Sequence, residues 1–225
     1  MFGYCISLTS APVLYATTLA NYCYYYMFTN CFSLKVAPNL PATILGTYCY
    51  SYMFYNCMNL IVAPNTLPAT TLTSYCYSYM FANCTRLKIA PDLPALTLVS
   101  NCYNRMFNGC SSLNYIRALF TTTPSTSYTN VWVSGVASSG TFIKNPNATW
   151  TNTGTSAVPT TWTIGTHDDI YLTIESTTNH NSIKWYTSIS SGSTRVISVS
   201  TDNGLTWTEK TPFLMGNTLA TLNKG

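Results

Sequence analysis

"TYCYSYMFYNCMNLIVAPNTLPATTL", residues 47–72, is preceded by "NYCYYYMFTNCFSLKVAPNLPATIL", residues 21–45, and followed by "SYCYSYMFANCTRLKIAPDLPALTL", residues 74–98. The Met-Phe pair sets the period: Met1, Met27, Met53, Met80 and Met106 stand 26, 26, 27 and 26 residues apart. The longer unit carries one extra residue, reading "APNTLP" where its neighbours read "APNLP" and "APDLP". A fixed period in the twenties marks a stacked array, because one such unit cannot bury its own apolar face and needs its neighbours to cover it.

Two halves separate within a unit. Cys49, Tyr50, Met53, Phe54 and Cys57 fall at i, i+1, i+4, i+5 and i+8. At about 100° per residue these gather on one side of a helix of two to three turns. The other half, "LKVAPNLP" at 34–41, places Leu34, Val36 and Ala37 before two prolines. Proline lacks an amide hydrogen and resists a helix interior, so this half is expected to be a short parallel strand. The fold predicted from these halves is α/β: a curved solenoid of short strands and short helices over residues 1–118. A Trp-rich cap segment follows over 119–165, and a small β module over 166–225.

The recurring residues Phe28, Cys31, Leu34, Pro38, Leu40 and Pro41 return as Phe54, Cys57, Leu60, Pro64, Leu67 and Pro68. They return again as Phe81, Cys84, Leu87, Pro91, Leu93 and Pro94. This pattern resembles the BspA-like (Treponema-type) leucine-rich repeat proteins found on the surface of gut anaerobic bacteria, over about half the chain. The first unit departs from it with Tyr15 at the second Pro position, and the last runs into "LNYIRALFTTTPS" with no Pro pair. The resemblance implies surface-exposed or secreted binding and adhesion, and it supplies no catalytic residues.

All nine cysteines lie in the repeats, in two ladders: Cys5, Cys31, Cys57, Cys84 and Cys110, and Cys23, Cys49, Cys76 and Cys102. Cys49 and Cys57 would sit ~12 Å apart along one helix. Equivalent cysteines on packed helices would be ~8–10 Å apart, beyond the ~7 Å limit for a disulfide. No Cys-x-x-Cys occurs, and both histidines lie outside the repeats. The ladders read as buried structural thiols, since free Cys is a small hydrophobe.

Only 7% of residues are charged, the net charge is +4, and eighteen tyrosines with many Ser, Thr and Asn supply the polarity. With few basic residues and no cluster beyond Arg86 and Lys88, nucleic acid is a poor partner. No apolar run approaches the ~20 residues of a membrane span. Residues 1–20 show no secretion signal, and Met1 occupies the repeat's own Met position. The expectation is a fragment of a cell-surface or secreted protein, or alternatively a virion protein.

Beyond Arg117 the spacing breaks and composition shifts to Thr, Ser and Gly. Trp132, Phe142, Trp150 and Trp162 are suited to cover an open array end. Residues 167–225 alternate in period two at "IYLTIES", "SIKWYTS" and "RVISVS", with Asp202-Asn203-Gly204 as a hairpin turn. "STDNGLTW" is similar to the Asp box of sialidase propellers, a hairpin brace present here in one copy. His167-Asp168-Asp169 is the nearest approach to a metal set, at a junction where polar residues are ordinary. No phosphate loop, nucleophile elbow or zinc motif appears, so neither an enzyme nor a cofactor is expected.

Two functional classes remain: recognition of a host or bacterial surface protein or glycan, and a spacer within a larger surface protein. The helix wheel places Tyr22, Tyr25, Tyr26, Tyr48, Tyr52, Tyr55, Tyr75 and Tyr79 outward, with Ser51 and Ser78 among them. In the last unit Asn101, Asn104, Arg105 and Asn108 take their places. Tyrosine suits binding surfaces because it buries large area and keeps a hydroxyl partner. The other reading is that tyrosine is polar filler in a recently duplicated repeat. The opposite edge offers Thr9, Lys35, Ile61, Lys88 and Asn114, a mixed row with no evident ligand logic.

Overall fold

A computed structural model describes residues 2–165 and four strands at 172–175, 182–185, 197–199 and 208–210. The chain divides into two compact units, Met1–Thr166 and His167–Gly225. The described elements are of mixed α/β type. In the first unit, β1 (Tyr115–Ala118), β2 (Thr141–Lys144) and β3 (Thr163–Gly165) form a parallel sheet in the order β1-β2-β3, and α1 (Thr126–Thr129) is one helical turn.

The helices expected in each repeat are not there: residues 47–56 and their counterparts form consecutive turns. Tyr48, Tyr50, Tyr52, Phe54 and Asn56 donate their amides to Ser74, Cys76, Ser78, Met80 and Ala82, one repeat later, at 2.9–3.2 Å. The intervening Cys49, Ser51, Met53, Tyr55 and Cys57 each donate to the carbonyl three residues back. Alternate amides thus close turns and knit one repeat to the next. Every fourth residue takes a left-handed conformation: Tyr22, Tyr26 and Asn30; Tyr48, Tyr52 and Asn56; Tyr75, Tyr79 and Asn83; then Asn101, Arg105 and Gly109, with φ between 52° and 75°. Such a conformation costs a non-glycine residue about 1–2 kcal/mol. The inter-repeat hydrogen bonds and the burial beneath them offset it.

The apolar positions serve as the core despite the change of backbone. Cys49, Tyr50, Met53, Phe54 and Cys57 are all buried, as are their counterparts in the next two repeats. Phe2, Phe28, Phe54, Phe81 and Phe107 stack in one column at 5.4–5.8 Å. Tyr24, Tyr50, Tyr77 and Tyr103 stack in another at 5.8–5.9 Å. Identical side chains one repeat apart therefore lie against one another.

Where strands were expected, the repeats show isolated parallel bridges, among them Val36 with Val62 and Ile89 with Tyr115. Pro38, Pro64 and Pro91 follow at once and cannot donate, which stops the ladder. The first segment at this position without proline, "YIRA", is the first to become a full strand, β1.

The hydrogen-bond ladder also runs on beyond Arg117. Arg105, Phe107 and Gly109 donate to Asn130, Trp132 and Ser134 at 2.8–2.9 Å. Trp132-Val133 thus stands 26 residues after Met106-Phe107 and takes its place. The period persists while the side chains that marked it change. Trp132 is fully buried against Tyr103 and Phe107, with its Nε1 donating to the Ala157 carbonyl at 2.7 Å. Trp150 stacks on Phe120. Trp162 donates to the Ala137 carbonyl.

In the second unit, β4 (Leu172–Glu175) pairs antiparallel with β5 (Ser182–Trp185), and β6 (Ile197–Val199) with β7 (Thr208–Lys210). The first three of these fall within the period-two stretches. The Asp202–Gly204 turn, the Asp-box residues Ser200 and Trp207, and His167–Asp169 lie outside the described residues.

Candidate binding face

The left-handed positions decide what the turn segments present. Tyr22, Tyr48 and Tyr75 share one position of successive repeats, and Tyr26, Tyr52 and Tyr79 share the position four residues on. Tyr22 is exposed, and Tyr25, Tyr26, Tyr48, Tyr52, Tyr55, Tyr75 and Tyr79 are half-buried. Tyr22 stacks on Tyr48 at 5.1 Å and Tyr48 on Tyr75 at 4.5 Å, with planes within 7°. Tyr26 stacks on Tyr52 at 4.5 Å and Tyr52 on Tyr79 at 4.4 Å, with planes within 11°. Tyr25 stands edge-on to Tyr22, Tyr26, Tyr48 and Tyr52, and Tyr55 stands edge-on to Tyr52 and Tyr79. All eight residues named from the sequence belong to one contiguous set of ring contacts.

Two residues assigned to that face turn inward. Ser51 and Ser78 are buried; Ser51 Oγ donates to the Ser78 carbonyl at 3.0 Å, and Ser78 Oγ to the Asn104 carbonyl at 3.3 Å. The helix wheel turned them out because it rotates 100° per residue, whereas fused turns do not. Asn104 also donates inward, through Nδ2 to Ser78 Oγ.

Because ring stacks on ring, most ring faces are covered and the columns present edges and hydroxyls. Burial, and then the neighbouring phenols, push Tyr25 up to about 12 and raise Tyr48 and Tyr52. Tyr25, Tyr48 and Tyr52 therefore offer neutral hydroxyls, able to donate and to accept. The second column ends on Arg105, whose guanidinium lies 5.5 Å over the Tyr79 ring. Arg105 occupies the same left-handed position as Tyr26, Tyr52 and Tyr79, with φ 52°. Position-by-position alignment of the repeats carried that signal, but not the contact itself.

The opposite edge is also distinct. Thr9, Lys35, Ile61, Lys88 and Asn114 are exposed. Beside them Val36, Val62 and Ile89 are 54%, 49% and 60% exposed. A shallow groove of about 330 Å³ at one end of this edge is lined by Thr9–Val13 and Val36–Asn39, with no titratable side chain.

The thiols are built into the backbone. Cys31, Cys57, Cys84 and Cys110 donate S–H bonds of 3.0–3.2 Å to the carbonyls of Phe2, Phe28, Phe54 and Phe81 in the preceding repeat. All nine cysteines are free; Cys5 is exposed, Cys23 half-buried and the rest buried. Burial pushes Cys49, Cys57 and Cys110 up to about 12 and Cys102 to about 11. Such thiols are poor nucleophiles and poor metal ligands, because both roles need the thiolate.

Among the described residues, no three His, Cys, Asp or Glu side chains gather as a metal site, and no helix is long and apolar enough to cross a membrane. Asp92 forms an ion pair with Arg117 at 3.1 Å; desolvation raises its carboxyl and Arg117 partly opposes that. Comparison with models of known protein families, with curated proteins and with solved structures gives no match.

Proposed function

We propose that this chain is a non-catalytic recognition module of a cell-surface or secreted protein. Its repeats stack as a leucine-rich-repeat solenoid of the BspA-like kind, with fused turns in place of helices. The observation that carries this reading is the tyrosine strip: eight solvent-accessible rings in one contiguous set, six of them in register as two stacked columns. Tyrosine is over-represented at binding surfaces, and truncating a hot-spot tyrosine costs more than ~1 kcal/mol of affinity. The partner is a host or bacterial surface protein or glycan.

The test is the triple variant Tyr26→Asn, Tyr52→Asn, Tyr79→Asn. Asparagine tolerates the left-handed backbone better than most residues, so the variant removes rings without adding strain. Binding to immobilised mucin and to a glycan array is expected to fall at least tenfold while thermal unfolding stays cooperative. Equal binding by parent and variant would sink the reading.

One observation favours the spacer alternative: the rings satisfy one another by stacking, so they also rigidify the array. On that reading the triple variant loses stability and no affinity.

A further inference from the structure

Resting on the tyrosine strip as the binding face, we infer that its ligand is an acidic polysaccharide whose carboxylate is taken by Arg105 at the end of the Tyr26–Tyr52–Tyr79 column. Four observations converge on that chemistry.

The first is orientation. An aromatic ring is negative on its face and positive at its edge. These columns cover the faces and turn edges and hydroxyls outward, so they favour electron-rich oxygen over the apolar side of a sugar.

The second is Arg105 itself. It is exposed, and its guanidinium rests 5.5 Å over Tyr79. A guanidinium drawn over a ring face keeps N–H donors free for a carboxylate.

Charge is the third. Residues 1–165 hold six Lys and Arg against the single carboxylate of Asp92, which Arg117 engages. Among the described residues no carboxylate pairs with Arg105, and an anionic ligand fits the imbalance.

Size is the fourth. The three rings of the column span about 9 Å. A stable globular partner needs ~800 Å² on each side, well beyond such a strip. A bound peptide needs a sheet edge or side-chain pockets, and stacked ring edges provide neither. A single polymer chain rich in hydroxyls, laid along the columns, needs only the regular row of phenols.

The experiment compares polygalacturonate with its fully methyl-esterified form, the same backbone with the charge removed, using the whole chain at low and at physiological salt. Wild type is expected to bind the acid at least tenfold more tightly than the ester, with the difference shrinking as salt rises. Arg105→Gln should erase that preference, bringing acid and ester to equal affinity. Arg105→Asn, which suits the left-handed backbone, should do the same, and Lys88→Gln on the opposite edge should not. Equal binding of acid and ester by wild type overturns the inference, as does no binding to either polymer, retained preference in both Arg105 variants, or an equal loss in Lys88→Gln. If the tyrosine triple variant loses binding while Arg105→Gln keeps its preference, the strip stands and only the acidic ligand falls. If the triple variant binds as wild type does, the strip itself is wrong.

Discussion

Raising the pH attacks the core through its thiols. Cys49, Cys57, Cys76, Cys84, Cys102 and Cys110 are fully buried, and burial raises the pKa of each. In an unfolded chain a thiol ionises near ~8.5. The folded values lie above the unfolded one, so this contribution to stability is intact below about pH 8.5 and drains away as pH rises toward the folded values. At pH 10 Cys49, Cys57, Cys102 and Cys110 each favour the unfolded chain by about 2 kcal/mol, about 8 kcal/mol together, and Cys76 and Cys84 act in the same direction. Net stability is typically ~5–15 kcal/mol, so the repeats should unfold cooperatively between about pH 9 and pH 10.5. Circular dichroism, tryptophan emission and thiolate absorbance, followed together under a phosphine reductant, should change in one step. Exposed Cys5 and half-buried Cys23 can ionise first; a gradual rise at pH 8–9 worth more than two thiolates, with the fold intact, would show that the buried thiols reach solvent and refute this packing.

Replacing Cys84 separates two roles for the thiol ladder. The Phe54 carbonyl also accepts the Cys57 amide, so Cys84→Ala leaves no orphaned acceptor and should cost about 1–2 kcal/mol, roughly 2–8 °C in Tm. Cys84→Ser keeps a donor and should cost less than Ala; if it costs more, the S–H bond contributes nothing. A Cβ on Gly46 would collide with the Ala20 and Asn21 backbone, so Gly46→Ala should destabilise by several kcal/mol in chemical denaturation. Trp132→Ala should cost about 3–5 kcal/mol or abolish the fold, read by urea unfolding.

The period and the buried positions were legible because both follow from spacing alone: whatever the backbone between them, Met53, Phe54 and Cys57 recur every 26 or 27 residues and must meet their copies. The helix was misread because a left-handed residue at every fourth position gives an apolar rhythm close to that of a helix. Asn at position 30, again at 56 and 83, then Gly at 109, pointed to a left-handed backbone, since those residues adopt it most readily. Ser51 and Ser78 were misplaced by the same error. The continuation through Trp132 was hidden because the ruler was defined by Met, Phe and Cys, and Trp, Val and Val136 replace them there. The tyrosines were legible as a set; their stacking, which hides faces and shows edges, depends on inter-repeat distances that no sequence pattern carries.

Hydrogen exchange with and without a bound ligand tests the central claim most directly, because it needs no substitution. The parent would be saturated with whichever polymer or mucin fraction it retains, and the deuterium uptake of each segment compared with the free chain. Protection is expected at residues 22–26, 48–55, 75–79 and 101–105, with the edge at 35–36, 61–62 and 88–89 unchanged. Protection confined to that edge, or to residues 167–225, would contradict that claim.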